Sequence, residues 1–163
     1  MNIHCCSFAS ESFASRQMKQ SKYFSKVGFN CENIHLYNPT KLKKKFFRIQ
    51  PNASELNKFG WYTFKPFFIL SILEKLKNDD ILFYLDVNDI PLNGIKEYIK
   101  KSFIKNKNLD ILGILANYPN YKFLSRFNKK NFSSELLLSS FFNFQPEAGA
   151  LVIKNSPSSR SII

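Results

Sequence analysis

A short run of apolar and aromatic residues, Ile81–Leu85, constrains the fold of this chain more than any other feature. The run is too short for a typical helix, and the polar segment 78–80 that precedes it has the composition of a turn. Continuous apolar runs of this length are typical of strands that are covered on both faces of a parallel sheet. The sequence therefore predicts a buried interior strand that ends at Asp86.

Three oxygen-bearing side chains follow this run, namely Asp86, Asn88 and Asp89. Open α/β sheets bind their ligands in the crevice beyond the carboxyl ends of parallel strands. Two carboxylates and an amide at that place suit a hard divalent cation that carries a phosphorylated ligand. The same residue types also form turns, and the nearby Pro91 favours one in any case. The local pattern leaves a metal site and a simple turn both open.

Apolar periodicity along the rest of the chain predicts alternating strands and helices. Strands are expected at 2–8, 34–37, 81–85, 109–115 and 150–153, and helices at 13–27, 62–77, 95–103 and 135–142. A turn is expected at 117–120, and Gly28 stands where a left-handed residue would end the first helix. This alternation predicts an α/β domain with a mostly parallel sheet flanked by helices, and 163 residues amount to one domain. The glycine-rich loops of Rossmann and P-loop proteins do not follow any of these strands, so those two classes are not supported.

The net charge of +12 suggests an anionic partner. Nucleic acid is disfavoured, because nearly all the positive charge is Lys and Arg is the residue preferred for bidentate phosphate and base recognition. We expect the excess charge to attract anionic donors, glycans or anionic membrane surfaces instead. The basic segment 41–48 is either a solvated surface or a place where such attraction acts.

The three cysteines, Cys5, Cys6 and Cys31, fit neither a disulfide framework nor a CxxC metal site. We expect them to be buried and reduced, as in a cytosolic protein. His4 and His35 are expected in the first two strands as packed or solvent-facing side chains rather than as metal ligands. The sequence shows no signal peptide and no apolar stretch of the roughly 20 residues that span a bilayer. A cytoplasmic protein is expected, with at most peripheral contact with the inner face of the membrane.

Four short segments occur in an order that resembles a known family. They are the loop 7–9 after the first strand, the helix entry GWYTFKP at 60–66, the strand DILFYLDVN at 80–88, and QPEAGA at 145–150. Together they resemble the nucleotide-sugar-dependent glycosyltransferases of the GT-A fold, especially bacterial enzymes that build surface polysaccharides. The resemblance implies one GT-A-like domain over residues 1–163. It implies a hexosyltransferase-like activity that moves a sugar from a nucleotide-diphosphate donor to a glycan or lipid-linked acceptor. Such enzymes usually continue well past the last of these segments, so the usual C-terminal part is expected to be missing.

The resemblance also implies roles for individual residues. Lys65 matches the basic residue near the donor diphosphate, where a positive charge stabilises the departing phosphate. Glu147 is the candidate base that would deprotonate the acceptor hydroxyl of an inverting enzyme. The implied donor-binding residues are Ser7, Phe8, Ala9, Tyr62, Lys65, Asp86, Gln145, Ala148 and Gly149.

The resemblance implies a Mn²⁺ or Mg²⁺ ion on the donor diphosphate, held by Asp86, Asn88 and Asp89. A second carboxylate is usual at the position of Asn88, and an amide oxygen is a weaker ligand for a hard cation. Either Asp89 compensates or the dependence on metal is reduced. We expect Asn88→Asp to strengthen nucleotide binding that depends on metal. We expect Asp86→Ala to abolish that binding with little effect on folding.

Two further classes of function fit parts of the sequence. A truncated or non-catalytic member of the same fold would bind nucleotide without transferring sugar, or would act as a surface-binding accessory protein. A basic nucleic-acid-binding module has the net charge but shows neither an Arg-rich face nor a recognisable motif. Binding of UDP would distinguish a non-catalytic member of the fold from a nucleic-acid-binding module. Transfer of a sugar would distinguish an active enzyme from both.

Overall fold

The computed structural model describes residues 1–41, 64–119 and 144–162, and within these ranges five strands form one mixed sheet with the order β2-β1-β3-β5-β4. The strands are β1 (Ile3–Phe8), β2 (Ile34–Tyr37), β3 (Ile81–Leu85), β4 (Ile111–Pro119) and β5 (Phe144–Lys154). The helices are α1 (Ala14–Lys26), α2 (Phe64–Leu73), α3 (Ile95–Lys105) and α4 (Pro157–Ile162). Single 3₁₀ turns lie at Glu11–Phe13, Cys31–Asn33 and Pro39–Lys41.

The prediction of an α/β fold is confirmed, but the sheet is only partly parallel. Strand β1 pairs in parallel with β2 and with β3. Strand β5 lies between β3 and β4 and is antiparallel to both. The apolar pattern of a strand indicates burial and not direction, so this reversal could not be predicted from the sequence.

Strand β3 occupies the interior position that the sequence predicted. It lies between β1 and β5, and all five of its residues are buried. Because side chains alternate along a strand, Leu82 and Tyr84 face one side of the sheet and Ile81, Phe83 and Leu85 face the other. The first pair packs against α2, and the second set packs against α1 and α3. The described part of the chain is therefore a sheet with helices on both faces.

The helices differ from their predicted bounds mainly at their ends. Helix α1 buries Gln17, Gln20 and Phe24 on one face, and it is followed by Gly28. Gly28 has a φ of 94° and donates its N–H to the carbonyl of Ser25, as predicted for a left-handed residue after a helix. Helix α2 ends at Leu73, four residues earlier than predicted. Among the described residues, none of the helices is both long enough and apolar enough to cross a membrane.

Several predictions near the C-terminus need correction. Strand β4 continues to Pro119, through residues where a turn was predicted. Strand β5 is longer than the predicted 150–153, and residues Pro157–Ile162 form α4 where no helix was predicted. The predicted helix 135–142 and most of the basic segment 41–48 lie outside the described residues.

Two of the cysteines are buried as predicted, and the third is not. Cys5 and Cys6 on β1 face opposite sides of the sheet, and both are fully buried. Burial raises the pKa of each thiol well above its ordinary value. Cys31 is exposed, and none of the three forms a disulfide. Cys5 and Cys6 therefore serve as small core residues.

The two histidines lie side by side on β1 and β2. His4 Nδ1 and His35 Nε2 are 3.1 Å apart, so an N–H of one ring donates to the other. Burial, and then the neighbouring His4, Lys75 and Lys41, lower the pKa of His35 to about 4. Burial also lowers the pKa of His4, which the Asp80 carboxylate opposes. Both rings are therefore neutral in the folded protein at pH 7.

We predict that this pair makes the protein sensitive to mild acid. The unfolded histidines take up protons below about pH 6.5, whereas the folded His35 does so only near pH 4. The neutral pair therefore contributes fully to the free energy of unfolding above about pH 6.5, and this contribution is lost as the pH falls towards 4. The loss is on the order of 2 kcal/mol after allowance for partial exposure. Urea unfolding at several pH values measures this loss.

The variant His35→Gln provides the control, since glutamine does not titrate. Its free energy of unfolding should fall less steeply over the same pH range than that of the wild type. The chain contains only these two histidines, so NMR titration of their ring protons reports the pair directly. An ordinary pKa for both rings in the folded protein would contradict the assignment.

Candidate active site

Asp86, the first residue after β3, lies against the first turn of α2. Lys65 Nζ is 3.2 Å from Asp86 Oδ1 and 3.4 Å from Oδ2. The Lys65 side chain is only 14% exposed and that of Asp86 is 34% exposed, so the ion pair is partly shielded from water. The buried Tyr84 donates its hydroxyl to Asp86 Oδ1, and Lys65 Nζ is 5.1 Å from the Tyr84 ring centroid. Lys65, Tyr84 and Asp86 form what we call the Asp86 cluster.

The geometry of this cluster follows from the strand. Tyr84 and Asp86 are two residues apart, so both point towards α2. The Tyr84 ring packs against Phe68 of that helix at 5.7 Å between centroids. Asp86 N donates to the carbonyl of Gly149 at 2.7 Å, which extends the pairing of β3 with β5 by one residue. Both neighbouring elements therefore fix the position of the carboxylate.

Helix α1, on the opposite face of the sheet, holds Asn88 and Asp89 in place. Arg16 Nη1 of α1 donates to Asn88 Oδ1 at 2.5 Å. Gln20 Nε2, also on α1, donates to the backbone carbonyls of Asp86 at 2.6 Å and Asp89 at 2.9 Å. Asp89 N donates to the carbonyl of Asp86 at 2.9 Å and closes the turn. The turn that the sequence allowed is therefore present, and α1 anchors it.

The residues do not fit the predicted Mn²⁺ or Mg²⁺ ion as they are arranged. The Asp86 carboxylate faces Lys65 on the α2 side, whereas the Asn88 amide oxygen faces Arg16 on the α1 side. Each oxygen group already pairs with a cationic side chain, although a hard divalent ion needs several oxygens directed at one point. The described ranges hold no group of three His, Cys, Asp or Glu side chains able to bind a metal ion. The metal stays a prediction.

The residues predicted to meet the nucleoside lie at the end of β1, with their side chains inside the protein. Ser7 is fully buried, and its Oγ accepts a hydrogen bond from Gln17 Nε2 at 3.3 Å. Phe8 stacks on Phe68, and Ala9 is buried. The structure therefore gives these side chains a packing role, and their contact with a donor stays a prediction.

The segment predicted to lie near the sugar reaches the same edge of the sheet. Because β5 is antiparallel to β3 and Ala150 pairs with Leu85, the preceding residues of β5 extend beyond the carboxyl end of β3. Gly149 contacts the backbone of Asp86, as described above. The other predicted residues of this segment, placed here by their backbone alone, are Gln145, Glu147 and Ala148. Tyr62 lies outside the described residues.

Helix α1 contributes to the site in a way that the sequence did not predict. A cavity of about 370 Å³ lies between α1 and the turn after β3, and Arg16, Lys19 and Tyr23 contribute to its lining. Gln20 is 2% exposed and joins the helix to the turn. The sequence feature that could have indicated this role is the pair Gln17 and Gln20, which lie on the same face of α1 as Phe24. A buried amide requires polar partners, so buried glutamines point to a nearby loop or strand end.

Comparison with known proteins adds no relative. No family model, no curated protein and no solved structure matches the chain. The interpretation of the site therefore depends on its own residues and on the short motifs described above.

We predict that Asp86→Ala destabilises the protein, in contrast to the small effect on folding that the sequence suggested. The substitution removes an acceptor of the buried Tyr84 hydroxyl and a carboxylate that pairs with Lys65. We expect a loss of about 1–3 kcal/mol in the free energy of unfolding. Chemical denaturation measures the loss.

Asp89→Ala is the matched control, because Asp89 is exposed and follows the same turn. It should change the free energy of unfolding by less than about 0.5 kcal/mol. In a double-mutant cycle, Tyr84→Phe and Asp86→Ala together should cost less than the sum of the two single changes. Strict additivity would show that the hydroxyl and the carboxylate do not depend on each other.

Proposed function

We propose that the chain is a glycosyltransferase domain that binds a nucleotide-diphosphate sugar at the carboxyl edge of β3. The observation that carries the proposal is the contact of Lys65 with Asp86. It brings together two of the motifs that carry the resemblance, the helix entry with Lys65 and the strand end with Asp86. In open α/β sheets this edge is where ligands bind.

Lys65 is the proposed ligand of the donor diphosphate. It lies in the first turn of α2, where helix N–H groups point outward and favour anions. Its side chain is mostly shielded from water, which strengthens its interaction with a charged oxygen. On donor binding, Lys65 exchanges part of its contact with Asp86 for a phosphate oxygen. Asp86 then accepts a hydrogen bond from a donor hydroxyl.

The proposed reaction is a displacement at the anomeric carbon of the sugar. The bond between that carbon and the diphosphate oxygen breaks, and a bond to the acceptor oxygen forms. The acceptor hydroxyl loses its proton to a base, and Glu147 on β5 is the proposed base. Negative charge collects on the departing diphosphate, where Lys65 stabilises it. The acceptor is a glycan or a lipid-linked sugar.

We expect Lys65→Met to weaken the binding of nucleotide diphosphates by about tenfold or more, because it removes a charge-assisted hydrogen bond. Isothermal titration with UDP, GDP and CDP at low salt measures the change. Lys75→Met is the matched control, because Lys75 is exposed and lies beyond the other end of α2. Equal affinities for the Lys65 and Lys75 variants would remove Lys65 from the site.

The same titrations in EDTA and in Mn²⁺ test the metal separately. The pairing of Asp86 and Asn88 with cationic side chains leads us to expect similar affinities in the two conditions. A large gain with Mn²⁺ that Asp86→Ala abolishes would instead show that the turn rearranges to hold the ion.

Transfer itself is tested by mass spectrometry after incubation with a panel of nucleotide sugars and simple glycan acceptors. We expect release of nucleoside diphosphate together with a glycosylated product, and Glu147→Gln should reduce the rate at least 100-fold. The conservative variant Glu147→Asp should retain part of the activity. Tight donor binding without transfer or hydrolysis would identify a non-catalytic nucleotide-binding domain.

A further inference from the structure

Exposed apolar side chains are concentrated on the helices and the loop that cover one face of the sheet. In the described part of the chain, seven large hydrophobic side chains are exposed, and six of them lie on α1, on α3 or in the loop that precedes α3. These six are Met18, Tyr23, Ile90, Leu92, Tyr98 and Ile104. We call the outer faces of α1 and α3, with loop residues 88–92, the α1–α3 surface. Single exposed apolar residues are ordinary, but a group confined to one face indicates a contact surface.

Positive charge is concentrated on the same surface. Helix α1 carries basic residues and no acidic one, and α3 carries basic residues with a single acid, Glu97. The basic residues of the two helices are Arg16, Lys19, Lys22, Lys26, Lys96, Lys100, Lys101 and Lys105. An anionic partner is the electrostatic complement of this surface.

The two helices present these residues to the same side. Phe24 of α1 and Ile99 and Phe103 of α3 belong to one buried cluster on the sheet. Lys96 Nζ donates to the carbonyl of Gly28 at 2.6 Å, which links the start of α3 to the segment after α1. Because the inward positions of both helices are filled by core residues, the exposed lysines and apolar residues lie on the outside. Each helix therefore alternates long basic side chains with apolar ones on its outer face.

We propose that the α1–α3 surface binds an anionic lipid bilayer. Lysine stems cover apolar surface while their ammonium groups reach phosphate, and tyrosine rings suit the boundary between headgroups and acyl chains. Leu92 is 74% exposed, the largest exposed fraction among these six side chains, so we assign it to the apolar contact with the bilayer.

Other occupants of the surface suit it less well. A second copy of the chain would bring two strongly basic faces together, which like-charge repulsion opposes. Nucleic acid would use Arg and stacking aromatic residues. The two helices carry one Arg against seven Lys, and four of the six exposed apolar side chains are aliphatic rather than aromatic. A lipid surface uses both the charge and the aliphatic groups.

Co-sedimentation with phospholipid vesicles tests the proposal. The full chain should bind vesicles that contain about a third phosphatidylglycerol and should not bind pure phosphatidylcholine. Lys22→Glu with Lys101→Glu should lower the partition coefficient by at least about tenfold, because each lysine near an anionic surface contributes to binding. Lys75→Glu with Lys77→Glu changes the net charge equally and is the matched control, since both lysines are exposed and follow α2 on the opposite face. Equal losses for the two pairs would show attraction by net charge alone and would overturn the proposal.

Leu92→Ser tests the apolar contribution. It should weaken vesicle binding several-fold at about 0.1 M salt, and the loss should persist at about 0.5 M salt, where charge attraction is screened. Thermal melts should show the fold intact, because Leu92 is largely exposed. An unchanged partition coefficient for this variant would overturn insertion into the bilayer. RNA binding that the Lys22 and Lys101 changes abolish, in a protein that does not bind vesicles, would assign the surface to nucleic acid.

Discussion

The burial of β3 on both faces is the constraint on which the rest of the described structure depends. Its five residues lie between β1 and β5, and α2 covers one face while α1 and α3 cover the other. A strand in this position has no exposed edge, so its carboxyl end is the first point at which it can present a polar side chain. Asp86 lies there, and the described contacts of Lys65 and Tyr84 in the Asp86 cluster converge on its carboxylate. Loss of packing on either face would therefore displace the site.

The transition from core to site takes place within three residues of one strand. Tyr84 packs its ring among apolar side chains and directs its hydroxyl to Asp86, whose carboxylate meets Lys65. A buried hydroxyl without an acceptor costs free energy, so the carboxylate contributes to stability as well as to the proposed function. Asp86 thus serves both stability and the proposed function. A loss of activity in an Asp86 variant therefore has to be distinguished from a loss of folded protein. Denaturation of the same Asp86 variant makes that distinction, and Asp89→Ala shows what the loss of a carboxylate without this contact costs.

Sequence reasoning predicted the elements that periodicity encodes and missed those that depend on distant contacts. It located β3 and its interior position, and α1 with Gly28 after it. It named Lys65 and Asp86 as separate site residues, and their ion pair was not predicted. It did not predict the antiparallel direction of β5, because an apolar strand pattern is the same in both directions. The link from Gln20 to the turn was also missed, since a glutamine on a helix is usually read as a surface residue.

The separation of Asp86 from Asn88 explains why a short acidic motif does not by itself establish a metal site. Asp86 continues the alternation of β3 and faces α2, but the turn that begins there directs Asn88 towards α1 and Arg16. A carboxylate at position 88 would meet the Arg16 guanidinium in the same place and would form an ion pair with it. This ion pair would hold α1 to the turn, and a cation would have to displace Arg16 to bind the carboxylate. In this chain, the residue that most resembles a second metal ligand is better understood as the link between the strand end and α1.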